Sequence, residues 1–182
     1  MASAVAASAR ADDAVPFLGV SVGLGYSFPA DTTSHGQVVN GSGDGGWFAV
    51  EYVDRRREWL APHVYSGVLN TSPSGDCGPM VLPCDVSAKI FFMGAKARLM
   101  VPIPYVGPFL DLGLGASVGT MRTRSGALVD DQFRGATFHI PFGLGLAVGP
   151  RHQFEISLQY LFHPLQHQID GAAAVGMSFA LL

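Results

Sequence analysis

Lys96 and Arg98 stand two residues apart in segment 86–101, and Asp111 follows in segment 108–120. Spacing by two puts both cations on one face of an extended strand, and the next strand offers them a carboxylate. Counted back from the turn between the two segments, Arg98 and Asp111 are nearly equidistant, which predicts cross-strand or diagonal neighbours. Glu51 and Glu155, each close to a turn at the same end of its own strand, complete a candidate charge network of Glu51, Lys96, Arg98, Asp111 and Glu155. Its chemistry is ion pairing. Such a cluster plugs a narrow interior or, with the same residues, gates a narrow pore.

Two further constellations carry reactive side chains. His139 and His163 are placed to face each other across neighbouring strands, with His167 in the loop that follows; three imidazoles are a candidate metal-ligand set. The plainer reading is a pair of interior histidines with no ion, so neither metal nor cofactor is expected. Cys77 and Cys84, the chain's two cysteines, sit in the turn-rich run TSPSGDCGPMVLPCD. A disulfide closing that short loop stabilises by roughly 2–3 kcal/mol, and two sulfurs without a nearby histidine are too few for a zinc site. No His-Glu-x-x-His motif occurs, so no enzyme is expected.

The elements that must position these residues are strands. In 108–120, Leu110, Leu112, Leu114, Ala116 and Val118 share one face, while Phe109, Asp111, Gly113, Gly115, Ser117 and Gly119 share the other. One face is aliphatic and the other small, the reverse of a soluble sheet, where the buried face carries the bulk. The same alternation recurs in 17–28, 48–52, 86–101, 137–148, 154–163 and 172–182, and less regularly in 59–70. A cation pointing into lipid near the midplane costs about 2–4 kcal/mol, so Lys96 and Arg98 point inward and the aliphatic faces outward. His63, Tyr65 and Trp59 are also expected inward, and Pro62 is expected to bulge or break its strand. Charged residues make up 14% of the chain and the formal net charge is −3, so no basic stripe exists for nucleic acid.

Eight strands joined alternately by long polar and short connections define the expected fold: all-β, an eight-stranded antiparallel up-and-down transmembrane β-barrel. Long loops are expected at 29–46, 71–85 and 122–136. Residues 1–15 read as a signal-peptide remnant or a disordered N-terminal arm, and 16–182 as the barrel. Aromatic residues near the strand ends (Tyr26, Phe28, Phe48, Phe138, Tyr160 and Phe162 at one rim, Tyr52, Phe154 and Phe179 at the other) suit interfacial girdles.

From Phe17 onward this pattern resembles the small outer-membrane barrels of the OmpA/OmpX type, and Gly176-Met177-Ser178-Phe179-Ala180-Leu181 is similar to their C-terminal assembly signal, although those proteins usually end on an aromatic residue. The resemblance implies a bacterial outer-membrane location with long loops extracellular and both termini periplasmic. It implies contact with outer-membrane lipid and lipopolysaccharide, passage through the barrel-assembly machinery, and a possible protein partner in the envelope. The chain also resembles the lipid A deacylases where the penultimate strand ends on His163, but their motif continues with a serine that this chain replaces: His163-Pro164-Leu165-Gln166 puts Leu165 at the nucleophile position.

Overall fold

The computed structural model describes residues 16–30, 33–34, 37–38, 41–54, 57, 59–74, 84–101, 103–125 and 129–181. Its strands are β1 (Phe17–Pro29), β2 (Thr33–Ser34), β3 (Gln37–Val38), β4 (Gly43–Val53), β5 (Leu60–Pro73), β6 (Cys84–Met100), β7 (Val106–Ser125), β8 (Val129–Val148), β9 (Phe154–His163) and β10 (Gln168–Ala180). Eight of them close a barrel in the order β1-β10-β9-β8-β7-β6-β5-β4, every pairing antiparallel; β2 and β3 form a separate two-stranded sheet within the first long connection. Closure leaves no unpaired edge, the condition for a sheet to cross hydrocarbon.

Alternation decides what each wall meets. Leu24, Leu114, Ile156 and Val64 are among the most exposed large hydrophobic residues, at 76, 69, 62 and 61%, whereas Asp111, His139, His163 and Asp170 are fully buried. The outward apolar belt far exceeds the patch a soluble monomer tolerates. The lumen is filled in two storeys: a charged layer near the short turns, and above it a core of Trp47, Leu69, Ile90, Phe92, Met121 and Leu161, in which Trp47 stacks on Phe92 at 4.4 Å between ring centroids. Eight strands leave room only for such a filling. At one rim Tyr26 packs against Phe28 and Tyr160, each at 6.0 Å.

Four local expectations are corrected. Pro62 neither bulges nor breaks β5: pairing runs through Pro62↔Ala97 without a change of register. Its carbonyl accepts from Asp54 N at 3.0 Å, so its missing N–H faces β4 just beyond the last pair, Val53↔His63, where the loss costs one terminal bond. Trp59 is not in the lumen; it precedes β5 and is 52% exposed. Residues 122–125 and 129–136 are not open loop, because β7 and β8 continue as a hairpin that β9 accompanies only as far as Ile140↔Phe162. Cross-strand matching holds it: Arg124 lies opposite Asp130, and Arg122 reaches the same carboxylate diagonally. The last strand starts at Gln168 rather than Ala172, which brings Gln168 and Asp170 into the barrel wall. The ladder is interrupted elsewhere: the β7–β8 pairs at Gly113–Leu114 are missing beside Pro141, with the register unchanged across the gap.

Candidate functional site

The charged layer is built by register. Arg98 on β6 lies directly opposite Asp111 on β7, and the guanidinium donates through Nε and Nη2 to the two carboxylate oxygens at 2.8 and 2.9 Å. This bidentate fork is the strong form of the interaction. Nη1 donates to Glu155 Oε1 at 2.6 Å from across the lumen, and the guanidinium carbon sits 3.7 Å from the centroid of the Phe109 ring. Lys96 bridges the other side, with Nζ 2.9 Å from Asp111 Oδ2 and 2.7 Å from Glu51 Oε1. Glu51 Oε2 is in turn 2.8 Å from His63 Nδ1. All five residues of the predicted network therefore lie within one connected cluster, and His63 is an additional member. Lys96, Arg98 and Asp111 are buried; Glu51 and Glu155 are about 15% exposed. Both face a cavity of about 20 Å³ that is also lined by Gly19, Ser21, Ser157, Gln159, Gly176 and Ser178. That volume holds about one water.

Above it runs a second polar system with no cation in it. Tyr65 Oη lies 2.6 Å from His139 Nε2, His139 Nδ1 2.8 Å from Ser117 Oγ, Ser117 Oγ 2.9 Å from His163 Nε2, and His163 Nδ1 3.1 Å from Asp170 Oδ2. The final approach is within ion-pair distance but falls short of hydrogen-bond geometry. Gln168 Nε2 donates to Asp170 Oδ1 at 2.8 Å. One assignment of protons satisfies the whole chain. If His163 carries a single proton, on the Nδ1 that faces Asp170, it offers a lone pair on Nε2. Ser117 donates there and accepts from His139 Nδ1–H, which leaves His139 Nε2 to accept from Tyr65. Gly94 and Gly115 make the space: a Cβ on Gly115 would collide with both Tyr65 Oη and His139 Nε2.

The histidine expectation divides. His139 and His163 meet, 5.6 Å between ring centroids, but through a shared serine, while His167 stands exposed in the following turn with φ +48°. Among the described residues, no group of three His, Cys, Asp or Glu side chains has the spacing to hold a metal ion. Leu165 is 66% exposed and remote from any base role. Cys77 lies outside the described residues, and with it the expected bond to Cys84. Ser117 and Asp170 were missed as partners of His163. Ser117 stands on the inner face of its strand in the sequence, and continuing the inward row Ala172, Ala174, Gly176 backward by two reaches Asp170 and Gln168.

Comparison with known proteins bears on this geometry through the fold alone. No protein-family model and no curated protein matches the chain. Among solved structures it is similar to Neisserial surface protein A (12% identity, covering 91% of this chain and 97% of that one, TM-score 0.57). It is also similar to the outer membrane protein OprG from Pseudomonas aeruginosa (10%, 92% and 97%, 0.53) and to Ail, the attachment invasion locus protein of Yersinia pestis (18%, 91% and 99%, 0.51). The closed antiparallel eight-stranded architecture is that of small outer-membrane barrels.

Proposed function

We propose that this protein is an integral barrel of a bacterial outer membrane, oriented with its long connections outside the cell, and that it works as a non-enzymatic structural or surface-binding component or as one partner in an envelope assembly. The observation that carries this reading is the inverted partition of side chains: aliphatic and aromatic residues cover the outer wall, while ion pairs and a packed core fill the lumen. A filled lumen favours a plug over a pore. Similarity to outer-membrane barrels supports the location. Extraction should require detergent, and boiled and unboiled samples should migrate differently on a gel; recovery as a soluble monomer refutes the proposal. Planar-bilayer recording should give little or no steady conductance. Purification under mild detergent with identification of co-purifying proteins tests the assembly role. We also propose that Cys77 and Cys84 are bonded, for which mass measurement with and without reductant is the check.

One observation favours a second reading. Ser117, His163 and Asp170 follow each other in the order of a nucleophile, its base and the carboxylate that orients the base. Against turnover, all three are fully buried, and the hydroxyl that would attack is also hydrogen-bonded to His139 Nδ1. Labelling of Ser117 by a fluorophosphonate probe, or deacylated lipid A that depends on His163, would establish the enzyme; absence of both supports the structural role.

A further inference from the structure

The hairpin of β7 and β8, with β6 beside it, carries a change of character over one pleat of its outward face. The outward row Phe48–Val68–Phe91–Val118–Ala136 is apolar, and the row one pleat farther out reads Gly46–Asn70–Lys89–Thr120–Arg134. Lys89 and Arg134 are thus the first charged side chains above the belt on their strands, both exposed. They flank Thr120, with backbones about 10 Å apart across two strand spacings, a gap that a lysine and an arginine side chain span from either side. A pleat or two higher the cations have acids: Arg122 donates to both oxygens of Asp130 at 2.9 and 2.8 Å, and Arg124 lies opposite Asp130. Among the described residues, neither Lys89 nor Arg134 has an ion-pair partner, and no acid stands in their row.

We propose that Lys89 and Arg134, with the Thr120 hydroxyl between them, hold a phosphate group on the headgroup of an outer-leaflet glycolipid. This rests on the orientation proposed above, which puts the row in the outer leaflet. Two features single out a lipid. The cations border the belt directly, so a molecule whose acyl chains lie on Phe91, Val118 and Phe138 presents its headgroup at this row. Their chemistry also suits phosphate: the lysine supplies a point charge, the arginine a planar fork and the threonine a neutral donor. Above them Arg122 is paired with Asp130 and Arg124 lies opposite the same acid, which leaves Lys89 and Arg134 as the cations with no acid in their row.

The test uses the full chain, purified in detergent and stripped of lipid, then mixed with lipid A or with chemically dephosphorylated lipid A and read by native mass spectrometry. Wild type should retain lipid A at least tenfold better than the dephosphorylated form. The double variant Lys89→Gln, Arg134→Gln should lose about that factor, and Arg124→Gln should retain it; the heat-dependent gel shift verifies that each variant is folded. Equal retention of both lipids, or unchanged binding by the double variant, overturns the site. Orientation is read separately, in a Cys77→Ser, Cys84→Ser background carrying Gln132→Cys, by a membrane-impermeant maleimide on intact cells. Labelling together with phosphate-independent binding defeats this inference alone, whereas labelling only after lysis defeats the orientation and the inference with it.

Discussion

The two storeys of the lumen solve the same problem by different means. In the lower one, Lys96 and Arg98 are set against three carboxylates, Glu51, Asp111 and Glu155, so each buried cation is offset by full opposite charge beside a cavity with room for water. The upper one contains a single acid, Asp170, and no cation; there, two histidines, a serine and a tyrosine satisfy one another by the order of their protons, sealed by Trp47, Phe92 and Leu161. The difference teaches where each system is fragile. Removing a member of the lower layer strands a buried ion, whereas removing Ser117 or Tyr65 from the upper chain strands a neutral donor or acceptor, which costs less.

The largest effect is therefore expected at Asp111, which serves both Lys96 and Arg98. Asp111→Ala should destabilise the barrel by about 3–5 kcal/mol, the usual cost of stranding a buried charge, measured as the shift in urea midpoint of protein refolded into lipid vesicles. A loss well under ~1 kcal/mol would mean that the cations find other partners and that the layer is not a closed network.

Ser117→Ala should cost less, about 1–3 kcal/mol, because it leaves His139 Nδ1–H without an acceptor and His163 Nε2 without a donor. The same chain predicts that both histidines hold their proton on Nδ1, readable from imidazole nitrogen chemical shifts. Finding the Nε2 tautomer at His139 would reverse the deduced direction and remove the distinction between the storeys. Gly115→Ala, whose Cβ would meet Tyr65 Oη and His139 Nε2, should disturb those shifts while leaving the lower ion pairs in place.

How much of this was legible in the sequence follows from what each feature depends on. The barrel was readable because an apolar outer wall around a filled lumen imposes a period of two on its strands, and the Arg98–Asp111 pairing because both residues are measured from one short turn. The upper chain joins Tyr65, Ser117, His139 and His163 from four strands, so its contacts depend on closure, which alternation does not encode. Pro62 misled because a proline is disruptive only where its N–H was needed. The outer hairpin was hidden by its polarity: above the apolar belt, Thr120, Arg122, Gln132 and Arg134 read as loop composition, although their cross-strand matching makes strand.

That hairpin gives the smallest expected effect and the cleanest contrast with the lumen, since its ion pair is exposed to water. The hydrogen bonds that Arg122 donates, reinforced by its charge and that of Arg124, hold the Asp130 carboxyl below the usual aspartate range. A folded-state value lower than the unfolded one means that the pair stabilises above the ordinary aspartate range, and that this contribution disappears as the pH falls through the depressed value. Because the pair is solvent-exposed and screened by salt, the urea midpoint of the whole barrel should not move measurably with it. The readout is local. In a carboxyl titration followed by NMR, Asp130 should titrate below the ordinary range, Arg122→Gln should bring it back toward that range, and added salt should do the same in part. An unshifted Asp130 in the wild type would mean that the outer hairpin does not hold the register that sets Arg122 diagonal to Asp130, and the row of Lys89, Thr120 and Arg134 one pleat below would lose its geometry with it.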